Sequence, residues 1–259
     1  MKTKLERMQH IKTHIERFRL TSNAQANIEK GVGNTSACLL ALASNAVAEA
    51  MIAWFEKKDL EATRKWFYVS ALLEYKRNLR GDQPVQPLPA ALGLIKPLIS
   101  NNEMLVKKHV DLYEKAFSEK LINDVNARDF LAYQFLLAIR GEWRELKTRA
   151  TNAISVGPDC SLNKRYLIDN QFFLALSEGD QEMMQLSLGQ LLTPSLIVQR
   201  HEDESGFTQD LISTPAVIYS KIAARHGYMI PIDSPYVPTE WMGNEELPEY
   251  DAFYSFLKN

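Results

Sequence analysis

Cysteine is scarce in this chain. There are two in 259 residues, Cys38 and Cys160, and their spacing fits neither a metal site nor a redox pair, so no disulfide framework is supported and a reducing cytosol suits the chain best. No sign of charge dominates either: 30 basic against 32 acidic residues leave −2, which gives no global reason to expect nucleic-acid binding. Uninterrupted apolar runs are also missing. Residues 37–55 come nearest to membrane length, but Ser44, Asn45 and Glu49 interrupt their middle, so the stretch reads as an Ala-rich helix packed on several sides rather than a span. The opening MKTKLERMQHIKTHIERFRL intersperses charge throughout and lacks the apolar core of an export signal.

Catalytic motifs are absent as well. His10 and His14 stand four apart, but HIKTH carries Ile11 where a zincin helix has its glutamate, and no third ligand is nearby. GVGNTS at 31–36 lacks the GK[ST] ending of a phosphate loop and follows a helical segment. No GxSxG occurs, Cys160 sits in no nucleophile motif, and the carboxylates do not form the ExxH pattern of a di-iron bundle. The basic and aromatic stretch 65–80, KWFYVSALLEYKRNLR, reads as a buried aromatic stripe with cations at a helix C-terminus. No catalytic residue, cofactor or metal is assigned. The one acid/base set worth naming is His109, Asp111 and Glu114 on a single helix, the basis of an enzyme reading.

What is present is helix. Apolar residues recur at three and four nearly everywhere, predicting helices at 3–29 (broken near Thr21), 35–57, 60–79, 89–100, 102–118, 126–140, 142–155, 163–178, 180–192, 212–226 and 247–257. Thr35 or Ser36 and Asn126 stand where N-caps belong, and Gly81 and Gly227 where left-handed C-terminal residues belong. GDQPVQPLP at 81–89 is a linker, and 193–210 reads as irregular. Three aromatic-rich helices each meet a very short polar turn, at Asp59, Glu142 and Asp180, and then an amphipathic helix, which forces antiparallel pairs. The second and third turns lie 38 residues apart, within the range of helical-pair repeats. The fold expectation is therefore all-α. Its helix pairs form either a tetratricopeptide- or HEAT-like array or an irregular bundle, followed by a short extended C-terminal segment. A single domain over 1–259 is expected, with an N-terminal helix in 1–30, a helical-pair core in 31–200, and a last helix and tail in 201–259.

Charge is distributed unevenly. Residues 1–30 carry seven basic and three acidic side chains, whereas residues 201–259 carry ten acidic and three basic. The C-terminal quarter is thus a candidate acidic surface.

The most individual segment is ARHGYMIPIDSPYVPTEWM at 224–242, where a helix stops at Gly227 and Pro231, Pro235 and Pro238 delay another. Ala223, Ala224, Arg225, Gly227, Asp233, Tyr236 and Pro238, in a chain of paired helices, resemble the immunity protein 49 family of bacterial polymorphic toxin systems, loosely over residues 30–242. The resemblance implies a cytoplasmic antidote encoded beside a toxin, which binds that toxin, blocks it or holds it inactive, and does no chemistry itself. For a nuclease toxin, an acidic patch would mimic phosphates and steer association. The residues picked for that interface are Glu202, Asp203, Glu204, Glu245 and Glu246, with Trp241 as an aromatic anchor if exposed. Nucleic acid and membrane are not expected partners, and a homodimer is left open. The alternative is a helical-repeat scaffold or regulator that binds a peptide or protein.

Overall fold

A computed structural model describes residues 3–156 and 164–258. Among them 71% are helical and none lies in a strand. Several helices begin at a side chain that caps them. Thr3 and Glu6 form a reciprocal capping box that opens α1 (Lys4–Thr21). The chain breaks at Ser22 and resumes as α2 (Ala24–Lys30), which ends on left-handed Gly31. α3 (Thr35–Phe55) is capped by Asn34, one residue earlier than expected, because the Asn34 side chain accepts from the Ala37 amide. Asp59 caps α4 (Leu60–Leu79) in the same way.

The single helix expected at 89–100 is two, α5 (Pro87–Gly93) and α6 (Ile95–Ser100). Pro97 has no amide to offer the carbonyl four residues back at Gly93, so the ladder is interrupted around Leu94. Then come α7 (Glu103–Ala116), α8 (Glu119–Ile122), α9 (Arg128–Arg140), α10 (Trp143–Val156), α11 (Leu167–Glu178), α12 (Gln181–Leu191) and α13 (Pro194–Gln199). Asn126 does not cap α9. The cap position is Ala127, which makes no side-chain bond, while the Asn126 amide is taken by Asp124. The expected irregular stretch 193–210 in fact contains α13 and a 3-10 turn at His201–Asp203. Finally α14 (Thr214–Arg225) gives way to a tail with two short 3-10 turns, Thr239–Met242 and Ser255–Leu257.

The three anticipated hairpins are present as packed pairs: α3 with α4, α9 with α10, and α11 with α12, with α10 also packing on α11. Between the first and second pairs, however, stand four helices of unequal length, so a regular two-helix period does not run through that stretch. α3 is the one helix among the described residues long and apolar enough to cross a membrane, and 67% of that window is buried. Its apolar surface is taken up by α1, α2 and α4.

The main apolar cluster runs from Met8 to Met242 and includes Trp54, Phe67, Phe135, Phe172, Phe173, Tyr219 and Trp241. A smaller one joins α2, α3 and α4 to Tyr254 and Leu257 at the far end of the chain. Hence the tail covers the N-terminal helices as well as following the last one.

Gly227 takes the left-handed conformation expected of it, with φ of 88°. The residues on either side of it reach across to the two later hairpin turns. His226 places Nε2 2.8 Å from the Ala138 carbonyl and its ring edge-on to Trp143, beside left-handed Gly141. Tyr228 lies against left-handed Gly179, where a Cβ would come within 2.9 Å of the tyrosine oxygen. His226 therefore serves the end of α9 rather than the end of its own helix.

The expected helix at 247–257 does not form. Leu247, Tyr254 and Leu257 are buried at helix-like spacing, but Pro248 follows Leu247, and Phe253 adopts φ of 61°, which a right-handed helix cannot accommodate.

Candidate partner-binding surface

The histidines do not converge. His14 packs its ring on Phe207 at 4.6 Å and His10 lies nearby. His109 is fully buried, its Nε2 3.0 Å from the Ala71 carbonyl and its Nδ1 3.1 Å from the Tyr113 hydroxyl. Burial pushes its pKa down, so the imidazole is neutral and donates to the carbonyl. Asp111 and Glu114 point elsewhere, onto Arg140, whose Nη2 is 2.7 Å from Glu114 Oε2. The set that motivated an enzyme reading is thus divided between core and surface. Among the described residues no group of three or more His, Cys, Asp or Glu could hold a metal ion. Cys38 is a half-buried free thiol, and Cys160 lies outside the described residues.

The six residues picked for the interface fall into two groups. Trp241 is fully buried, its ring edge-on to Phe67 at 5.4 Å and to Trp54 at 6.0 Å. It anchors the core and is not a surface aromatic, a correction that follows from the tail folding back over α3 and α4. Asp203 is withdrawn too. Its carboxylate receives Arg200 Nε at 2.6 Å, and the same guanidinium reaches Asp169 at 2.7 and 3.0 Å, where the Tyr219 hydroxyl also donates. Burial pushes the Asp169 carboxyl upward, with Arg200 and Tyr219 pulling the other way. Glu204 accepts the Thr214 amide at 2.5 Å and the Thr214 hydroxyl at 2.6 Å, which satisfies two donors at the start of α14. Desolvation raises its pKa against those bonds.

Glu202, Glu245 and Glu246 remain exposed. Glu202 faces Arg165 at 3.3 Å. The other two ride on a segment whose backbone is held from below. Lys221 of α14, with no exposed surface, puts Nζ 2.5 Å from the Gly243 carbonyl and 3.1 Å from Asn244 Oδ1. Asn101 donates to the Gly243 and Glu245 carbonyls, both at 2.8 Å. Arg64 reaches the same two oxygens at 3.2 Å. Tyr250 then donates to the Ser100 carbonyl at 3.0 Å. With backbone oxygens fixed inward, the carboxylates of Glu245, Glu246, Glu249 and Asp251 line the outside of this strap. Burial lowers the Lys221 pKa to about 7, reinforced by Arg64 and Arg225 and opposed by Glu103 and Glu245.

The charge asymmetry between the chain ends also acquires a partial explanation. Arg7 near the N-terminus binds Asp210 at 2.8 Å and the Gly206 carbonyl at 2.8 Å. Asp203, Glu204 and Asp210 are therefore absorbed internally, leaving the strap acids together with Glu202, Asp233 and Glu240 on the surface. The loop Glu202–Thr208 separately walls a groove of about 360 Å³ lined by Leu40, Val47, Leu92 and Phe67.

One expectation about the aromatic stretch 65–80 needs correcting. Phe67 is buried, but Trp66 and Tyr68 are only half-buried, because the strap and not a helix lies over them. The sequence reading did not single out Trp66 or Phe253 as surface candidates, and took Glu249 and Asp251 only as part of the acidic C-terminal quarter. A faint signal was the combination of an aromatic run on α4 with a second aromatic cluster, Tyr250 to Phe256, at the chain end.

No curated protein and no solved structure matches the chain. Residues 125–241 match the family model for immunity protein 49, a little under half of the chain, from just before α9 to the buried tryptophan of the tail.

Proposed function

We propose that the chain, whose residues 125–241 match the immunity protein 49 family, has an immunity role in a toxin system, binding a cognate toxin protein and neutralising it by occlusion without chemistry of its own. The family match is the observation that carries this reading. The geometry supports it in one respect. Three of the picked carboxylates, Glu202, Glu245 and Glu246, remain on the surface, and two of them sit on a backbone fastened by Lys221, Arg64 and Asn101. A charged face on a rigid support binds at a lower ordering cost than a mobile one, and like-signed carboxylates steer a basic partner toward it. The toxin is encoded by the adjacent gene, and the encounter takes place in the cytoplasm.

The test is growth. Cells expressing the protein encoded next to this gene should arrest, and co-expression of this chain should restore growth, with the two proteins eluting as one complex on size-exclusion chromatography. Absence of both protection and a complex would overturn the proposal. A stable complex with an unrelated regulatory protein instead would favour the scaffold reading.

A further inference from the structure

Trp66 on α4 and Phe253 on the strap form an exposed aromatic cleft with centroids 4.9 Å apart and planes inclined at 54°. The space beside them is about 410 Å³, lined also by Ala62, Val69, Lys65 and the carboxylate residues Glu249 and Asp251. We infer that this cleft receives an arginine side chain from a basic protein partner.

Phe253 is the starting point. The residue is 57% exposed, although Tyr254 and Leu257 after it enter the smaller apolar cluster. The residue is also held at φ of 61°, a region that a bulky L-residue rarely occupies. The amide of Phe253 donates to Asp251 Oδ1 at 3.0 Å, which fixes the turn that presents the ring outward. A residue that is strained and exposed adds little to the fold, and such strain persists where the position serves something else.

The chemistry of the lining selects the occupant. Aromatic faces attract a cation, and a planar guanidinium can lie against one while its N–H groups meet carboxylate oxygens. The Phe253 amide and the nearby Lys258 keep the Asp251 carboxyl below its usual range, so it is ionised at neutral pH. Two lysines already stand near these acids. Lys258 is 3.4 Å from Asp251, while Lys65, which lines the cleft, is ion-paired at 2.5 Å with Glu61 on its own helix. Both are solvent-exposed pairs of small energetic weight, readily exchanged for a guanidinium that also gains the rings. The strap continues the same sign of charge through Glu245 and Glu246, which opposes phosphate backbones and anionic lipid surfaces and leaves a basic protein face as the fitting partner. That the partner is a protein rests on the immunity reading; that the cleft takes a guanidinium does not.

The test titrates the full chain with a hexa-arginine peptide and follows the Trp66 indole resonance, with hexalysine as control. The expected result is a saturable Trp66 shift with arginine binding several-fold tighter than lysine. Phe253→Gly suits the left-handed backbone and should keep the thermal midpoint while weakening arginine binding about tenfold or more. Glu249→Lys combined with Asp251→Lys, both on exposed side chains, should weaken it at least as much. An unmoved Trp66, equal binding of the two peptides, or unchanged binding in both variants would overturn the inference. If a toxin complex forms and Phe253→Gly leaves its affinity unaltered, the cleft assignment to that partner fails while the immunity reading stands. If neither a complex nor protection is found, the immunity reading fails and the peptide titration still decides the cleft.

Discussion

Lys221 holds Gly243: the ammonium nitrogen lies 2.5 Å from the main-chain oxygen, at a depth where the lysine has no exposed surface. The bond joins α14, the last helix of the family-matched segment, to the strap that runs back over the N-terminal helices. Asn101 and Arg64 share the same acceptor, so one carbonyl gathers three side chains from three parts of the chain.

This arrangement has a pH consequence. The Lys221 pKa is about 7 in the folded protein against 10.5 for an unperturbed lysine. Between those values the unfolded chain holds the extra proton, so stability rises with pH; below about 7 both states are charged and the full desolvation cost is present. Lys221→Met should remove this slope. Urea denaturation at pH 7 and pH 9 should show the wild type gaining about 2 kcal/mol relative to the variant over that interval, and equal slopes would contradict the assignment.

Trp241 should behave as a core residue. Trp241→Ala removes a fully buried ring that contacts Trp54 and Phe67 and is expected to cost about 3–5 kcal/mol of unfolding free energy. Partner affinity, measured by calorimetry on the folded fraction, should be unchanged within error. A variant of normal stability with lost affinity would return Trp241 to the surface role that the sequence suggested.

Arg200 neutralises two buried carboxylates at once, Asp169 and Asp203. Arg200→Ala leaves buried Asp169 without its cation and Asp203 with only Arg165 at 3.9 Å, and should destabilise by about 3–5 kcal/mol. Replacing Asp169 with Asn in the Arg200→Ala background should recover part of that loss, because one uncompensated charge disappears. Denaturant midpoints for the single and double variants check the coupling.

How much of this was legible beforehand divides cleanly by range. Local signals were readable: Asp59 and Asp180 cap helices from the turns where short polar connections stood, and Gly141, Gly179 and Gly227 take positive φ where helices stop. Long-range assignments were not. Arg200 stands three residues before Asp203, but nothing local shows that this pair is buried, because the guanidinium also binds Asp169, 31 residues away, and Glu204 is committed to Thr214 at the start of α14. The tail misled for a physical reason. Leu247, Tyr254 and Leu257 keep helical spacing, yet Pro248 and the positive φ of Phe253 break any helical ladder, and Tyr254 and Leu257 are buried instead by packing in the cluster with residues of α2, α3 and α4. Trp241 followed the same logic, appearing free only because the surface it covers is nearly two hundred residues earlier.

If the strap is the steering face, charge reversal there acts on association. Glu245→Lys with Glu246→Lys should lower the rate of toxin binding roughly tenfold at low salt, with the gap shrinking near about 0.15 M salt, while thermal stability stays within the range of ordinary surface changes. Stopped-flow association measured at both ionic strengths would show it. Rates that do not change with charge would remove the acidic strap from the encounter.

Stoichiometry tests neutralisation by occlusion most directly. Purified toxin at a concentration well above its dissociation constant is titrated with the full chain, and residual toxin activity is measured at each point. Occlusion predicts a linear fall that reaches zero at one equivalent and recovers when the complex is dissociated. Inactivation by far less than one equivalent, or activity that does not return after separation, would mean that the chain acts by chemistry and would contradict the reading.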